Sequence, residues 1–230
     1  MNEIMNDIHR RMSDLVTDHV QLVTLLPRIG IPLGFGERSV ADVCARHGVD
    51  PQFLLLICNV YCNPHYEPEP QMLAGIHMDG LVPYLRGSHA YYVDNRLPHI
   101  ARHLDHIATQ LPERVAAVFK RFFEEYQQEV MAHFAHEEQV VFPHIEALTA
   151  GRPTGKYSID SFLRDHSNLE DKLNDLLQII FKYLPENVTG DDTVSVIYDI
   201  ILLAHDLNRH SFVEEHVMVP YVRQLEKSNL

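Results

Sequence analysis

The sequence predicts an all-α protein: an antiparallel up-and-down four-helix bundle preceded by a small helical N-terminal domain. Three observations lead there. Four long segments, 78–108, 112–148, 159–184 and 192–226, repeat apolar residues at i, i+3, i+4 and i+7, the stripe of an amphipathic helix. The breaks between them are short and rich in Pro and Gly, so consecutive helices must lie side by side and run in opposite directions. No stretch of this region alternates with period two for long enough to form a strand.

The elements follow in order. Residues 8–26 have apolar positions at helical spacing and predict a first helix. Ser39 is placed to cap a short helix over 40–47, which Gly48 closes. Asp50-Pro51 then starts a helix running to about Tyr61, since proline is tolerated in a first turn. The prolines of CNPHYEPEPQ, residues 62–71, block both helix and ladder and mark a linker. The predicted domains are therefore 1–70, small and helical, and 71–230, the bundle. Within the bundle, Pro112 opens the second helix, TAGRPTG around Gly151 turns into the third, and PENVTGDD at 185–192 turns into the fourth.

Composition narrows the function. A formal charge of −13 opposes binding to nucleic acid and to anionic membranes and favours cations as partners. Sixteen histidines is a high number for 230 residues, and most lie between His89 and His216 within predicted helices. The three cysteines, an odd count clustered in the first third, fit a reducing cytoplasm. No apolar run has the length to span a bilayer, and the first eleven residues lack a signal-peptide core, so a soluble cytoplasmic protein is expected.

The chemistry sits in an internal repeat. The second bundle helix contains HFAHEEQVVFP at 133–143 and the fourth contains HSFVEEHVMVP at 210–220; both fit H-x3-E-E-x-V-x2-P. Four residues turn about 400° around a helix, so His133 and Glu137, like His210 and Glu214, project from one face a turn apart. That face is apolar, because Val140, Val141 and Ile145 follow Glu137 as Val217, Met218 and Tyr221 follow Glu214. Imidazoles and carboxylates on an inner stripe are costly unless paired or bound to metal. His133 and His210 lie 77 residues apart, as do His89 and His166, one on each preceding helix. Two such hairpins would converge His89, His133, Glu137, His166, His210 and Glu214 on a dinuclear site, with terminal imidazoles and bridging carboxylates. Two iron ions suit this set, bridged by oxygen or by carboxylate, with manganese or zinc as substitutes.

A single H-x3-E on a helix is ordinarily a surface pair; the duplication, with a further His at equal distance, is what argues for metal. Other residues are weaker candidates. His144 could orient water near the site but reads as a partly buried core residue. His99, His103 and His106, at i, i+4 and i+7, have the spacing to catch a second metal yet read as an exposed polar stripe. Tyr91, Tyr92 and Tyr221 could reach the site or simply line the core.

HFAHEEQVVFP and HSFVEEHVMVP, together with RDHSNLEDKL around His166, resemble hemerythrin-type cation-binding domains, in particular the di-iron proteins of the repair of iron centres family. That resemblance implies a small N-terminal helical domain, then a bundle in which the six residues above hold two irons and the glutamates bridge. It implies repair of iron–sulfur clusters damaged by nitric oxide or oxidative stress, by iron donation or nitric oxide consumption. The partners implied are dioxygen, nitric oxide and damaged iron–sulfur proteins, with a homodimer as the candidate assembly. Two departures stand out. The spacing from His89 to Leu97-Pro98 is one residue longer than the family's usual spacing, and the stretch Gly30-Ile-Pro-Leu-Gly-Phe-Gly36 lacks the adjacent cysteines that members of the family carry. Cys44, Cys58 or Cys62 are substitutes in principle; Cys58 and Cys62, at i and i+4, could share a face and are helix-core residues on the ordinary reading.

Two other functions compete. A dioxygen carrier or sensor would use the same bundle, although carriers generally place more imidazoles at the metals. A metal-sensing DNA-binding regulator would use SVADVCARHGVDPQFLLLICN as a helix-turn-helix, a reading weakened by its few basic residues.

Overall fold

The computed structural model describes residues 4–228 except 153, 154, 156, 166–168, 187 and 189. The fold is all-α, a helical bundle with an N-terminal helical region. Among the described residues no strand forms, and Arg11 and Ser39 make one isolated antiparallel bridge.

That bridge explains why the helix predicted over 8–26 is not continuous. The amides of Val40 and Ala41 donate to the carbonyls of Arg10 and Ile8, and the amide of Met12 donates to Arg38, so residues 8–11 run as a strap bonded to a later segment. Helix is confined to Met12–Asp18 and Leu22–Leu25, followed by a 3-10 turn over Leu26–Ile29. Tertiary backbone bonds here outweigh a helical apolar period.

The next two helices follow local rules closely. Val40–His47 starts with a capping box, in which Ser39 accepts from the Asp42 amide and Asp42 accepts from the Ser39 amide, and Gly48 ends it at φ 67°. Pro51–Cys62 is capped by Asp50, whose Oδ1 accepts from the amides of Gln52 and Phe53. Every residue from Phe53 to Cys62 is buried. The helix that a helix-turn-helix reading would send into a groove therefore has no exposed face to offer.

Three of the four long helices are unbroken but contain a wider π-helical stretch. They run Leu81–Ala90, Tyr91–Arg96 (π) and Leu97–Ala108; Glu113–His136, Glu137–Val141 (π) and Phe142–Thr149; and Asp191–Val213, Glu214–Met218 (π) and Val219–Ser228. Each π stretch ends two residues before a proline: Pro98, Pro143 and Pro220. Proline lacks the amide proton that the carbonyl four residues back requires, and its ring crowds that carbonyl; a locally widened turn relieves both. The remaining long segment is described as Ile159–Asp165 and Leu169–Tyr183.

Two compact units divide the chain. One comprises Met1–Ser88, Val141–Arg164 and Arg209–Leu230. Its core joins Met12, Leu15, Phe53, Leu54 and Tyr84 to Val141, Phe142, Val213 and Met218. A tight approach fixes one of its helices: a Cβ on Gly87 would lie 2.5 Å from the backbone oxygen of Arg28, so only glycine lets the helix pass that turn two residues before His89. The other unit comprises His89–Val140 and Asp165–Asn208. In it Leu97–Ala108 packs on Glu113–His136, which packs on Leu169–Tyr183, around Phe119, Phe123, Tyr126, Leu173 and Leu176. Burying each such side chain contributes roughly 1.5–3 kcal/mol.

Candidate metal centre

The two duplicated motifs place their His and Glu side chains as the four-residue spacing requires. His133 Nε2 lies 3.1 Å from Glu137 Oε1, and His210 Nε2 lies 2.9 Å from Glu214 Oε1. In both cases the Glu is the first residue of a π stretch, a feature common at functional sites because it re-aims side chains without ending the helix. His89 sits two residues before the third π stretch, and its Nε2 lies 3.0 Å from Glu137 Oε2. That stretch is six residues long where the other two are five.

His89, Glu137, His210 and Glu214 are all buried, and one ligand atom from each lies within 4.8 Å of the others. His133 joins them through its contact with Glu137. His166 lies outside the described residues. Five of the six residues chosen from the repeat are thus described, and four of them form the tight group.

The donor set fits a metal. Glu137 is only 1% exposed, yet among the described residues neither of its oxygens accepts a well-formed hydrogen bond, although two imidazole nitrogens stand within 3.1 Å. A carboxylate desolvated in this way is strongly unfavourable on its own and is stabilised by a cation between it and the nitrogens. Neutral imidazole nitrogens and carboxylate oxygens are the ligands that iron, manganese and zinc accept.

Several surrounding groups escaped the sequence reading. Glu138 Oε1 lies 3.0 Å from His89 Nδ1, so that nitrogen donates to Glu138 and leaves Nε2 directed at Glu137. A carboxylate behind a ligand histidine fixes its tautomer and raises its basicity. The doubled glutamate of the motif was the available signal. Phe134 stacks on the His89 ring with centroids 4.0 Å apart. The Tyr84 ring stands 6.5 Å from that of His210, and its hydroxyl donates to the Tyr61 hydroxyl at 2.8 Å.

Tyr92, Tyr221, His144 and the cysteines take structural roles. Tyr92 is buried and donates to Asp206 at 2.9 Å. Tyr221 lines a surface pocket with Met78, Val82 and Ile145, and no residue of the His/Glu cluster lines it. His144 bonds to Glu226 at 2.9 Å, and Glu226 also accepts the Ile159 amide at the start of a helix, so this pair ties two helices together. All three cysteines are buried thiols. Burial pushes Cys44 up to about 11 and Cys62 up to about 12, and holds Cys58 well above the ordinary thiol value, with the neighbouring thiols contributing. None has the thiolate character of a redox cysteine.

The model of the hemerythrin HHE cation-binding domain matches residues 84–222. The chain belongs to that family. The matched span contains every residue of the His/Glu cluster and all three π stretches, and a buried His/Glu cluster of this kind fits the cation-binding site of a hemerythrin-like protein. No curated protein matches the chain. Among the described residues no helix is long and apolar enough to cross a membrane.

Proposed function

We propose that this hemerythrin-like protein would hold two iron ions through His89, His133, Glu137, His166, His210 and Glu214. We further propose that it serves the repair of iron–sulfur clusters damaged by nitric oxide or oxidative stress. The observation that carries the metal assignment is Glu137: a fully buried carboxylate flanked by His89 and His133 and lacking well-formed hydrogen bonds among the described residues. In this reading residues 71–230 form the metal-binding bundle and residues 1–70 an accessory helical domain; the family match falls wholly within the former.

When bound, a di-iron centre supplies one-electron chemistry toward nitric oxide and dioxygen. The chain's own residues set the conditions for it. Glu138 holds the His89 proton on Nδ1 and keeps Nε2 as the ligand atom. Phe134 and Tyr84 cover the imidazoles of His89 and His210 with aromatic surface, which limits water. Any repair function here proceeds without a reactive cysteine pair: the loop at 30–36 contains no cysteine, and the three thiols are buried with raised pKa. We place the protein in the cytoplasm, with damaged iron–sulfur proteins as macromolecular partners and a homodimer as the candidate assembly.

Protein purified without oxygen is expected to hold about two irons with the spectroscopic signature of a coupled pair, and His210→Ala or Glu214→Ala to lose them. Unchanged iron content in both variants removes the metal assignment. The repair role is tested separately, by restoring a nitric-oxide-damaged iron–sulfur protein with the iron-loaded chain before and after thiol alkylation. Restoration that survives alkylation supports a thiol-independent route. A dioxygen-binding or sensing role would instead give a stable, reversible absorption change when the reduced protein meets oxygen.

A further inference from the structure

We propose that His99, His103 and Asp199 form a second metal site, separate from the buried His/Glu cluster and open to solvent, that takes a single divalent cation of the zinc class. His99 and His103 stand at i and i+4 on Leu97–Ala108, so both imidazoles leave the same face of the helix; their ring centroids are 4.6 Å apart. Asp199 comes from Asp191–Val213, a different helix of the same compact unit, and its Oδ2 lies 3.0 Å from His99 Nε2. One ligand atom from each of the three lies within 4.8 Å of the others. A stripe of exposed histidines would not by itself be a site. The carboxylate brought in from a second helix converts it into a three-donor set.

The ligand chemistry selects the ion. Two imidazole nitrogens and one carboxylate oxygen, with a position left for water, make up the donor set of an open zinc site. Hard cations such as magnesium and calcium want mainly oxygen and find one carboxylate here. The site is accessible, since the side chains of His99, His103 and Asp199 are 38%, 25% and 16% exposed. Behind the carboxylate, Arg96 Nη2 donates to Asp199 Oδ1 at 2.6 Å, which fixes its rotamer and leaves Oδ2 for the ion. Arg102 reaches His99 Nδ1 only at 3.5 Å, and Asp192 stands 3.7 Å from His103 Nδ1 and 2.7 Å from His106 Nδ1. The two aspartates offset the two arginines, so the local field does not repel a cation.

The test is a competition titration of Zn²⁺ against a chromophoric chelator, using the full-length protein as purified and with its iron content measured in parallel. Wild type is expected to bind one Zn²⁺ equivalent without losing iron. His103→Ala leaves the Arg96–Asp199 pair intact and is expected to weaken that binding at least about tenfold, as loss of a direct ligand should exceed the effect of losing a supporting one. Asp199→Asn is expected to do the same, with circular dichroism checking that the helices persist. Iron content should not change in either variant. The proposal is overturned if wild type takes up no Zn²⁺ beyond its iron, if both variants bind Zn²⁺ as wild type does, or if zinc enters only by displacing iron. Failure of the iron assignment would appear instead as low iron in wild type, with the zinc equivalent still lost in His103→Ala.

Discussion

The two copies of the His–Glu motif share their letters and spacing, and their surroundings differ. His210 and Glu214 are almost completely shielded, at 2% and 0% exposure, whereas His133 keeps 12% while its Glu137 is at 1%. Glu137 meets two imidazoles, His133 and His89, and the glutamate that follows it holds the second of these. The lesson is that the spacing of a repeat fixes which groups share a helix face, while the neighbours packed against that face fix how dry each copy is and which atoms support it.

The largest effect should come from removing a carboxylate. Glu137→Ala and Glu214→Ala are expected to leave less than half the wild-type iron by elemental analysis, and His210→Ala to lose more than His133→Ala, whose imidazole is the less enclosed. Equal losses from the two histidine variants would show that the difference in burial has no energetic consequence. Next is removal of the metal itself. A ligand present at about 1,000 times its dissociation constant stabilises the fold by about 4 kcal/mol, so chelation should lower the melting temperature by roughly 10 °C. A melting curve unmoved by chelator would mean that the buried carboxylates are satisfied without a cation.

A smaller and more selective effect is expected behind the ligands. Glu138→Gln should weaken metal binding roughly 10–100-fold, the usual range for a supporting carboxylate. Glu215→Gln, its counterpart in the other copy, sharpens the comparison: an equal loss would restore the symmetry of the motifs. Gly87→Ala acts on the approach to His89, because the new methyl would meet the Arg28 carbonyl; urea unfolding should show a destabilisation of about 1–3 kcal/mol.

The smallest effect concerns pH. An unfolded chain releases the Cys44 proton near the ordinary 9.0, while the buried thiol keeps it up to about 11. Folding stability therefore declines as pH rises from 9 to 11 and is unaffected by this group below 9. Cys44→Ala should flatten that decline in a series of denaturation curves, and an unchanged slope would assign it to other groups.

Local spacing carried most of the buried His/Glu group. The H-x3-E repeat and the 77-residue offset pointed to His89, Glu137, His210 and Glu214, which the fold gathers within 4.8 Å. Glu138 was legible only as a doubled letter, since nothing in one helix says that a histidine 49 residues away will face it. The π stretches were hidden for a related reason: a fixed 100° per residue assumes the regular turn that Pro98, Pro143 and Pro220 disturb.

By itself the sequence determined the all-α class, the start of the helix at Val40 by Ser39 and of that at Pro51 by Asp50, and the pairing of each motif histidine with its glutamate. These are interactions within a few residues, encoded by period and by capping chemistry. Only the tertiary structure decided that residues 8–11 would leave the helix to bond with the segment before Val40, that Phe53–Cys62 would be buried on every face, and that Asp199 would stand beside His99. Each of these depends on which groups distant in the chain are packed together, and that is set by the free energy of burying the whole core rather than by any local run of residues.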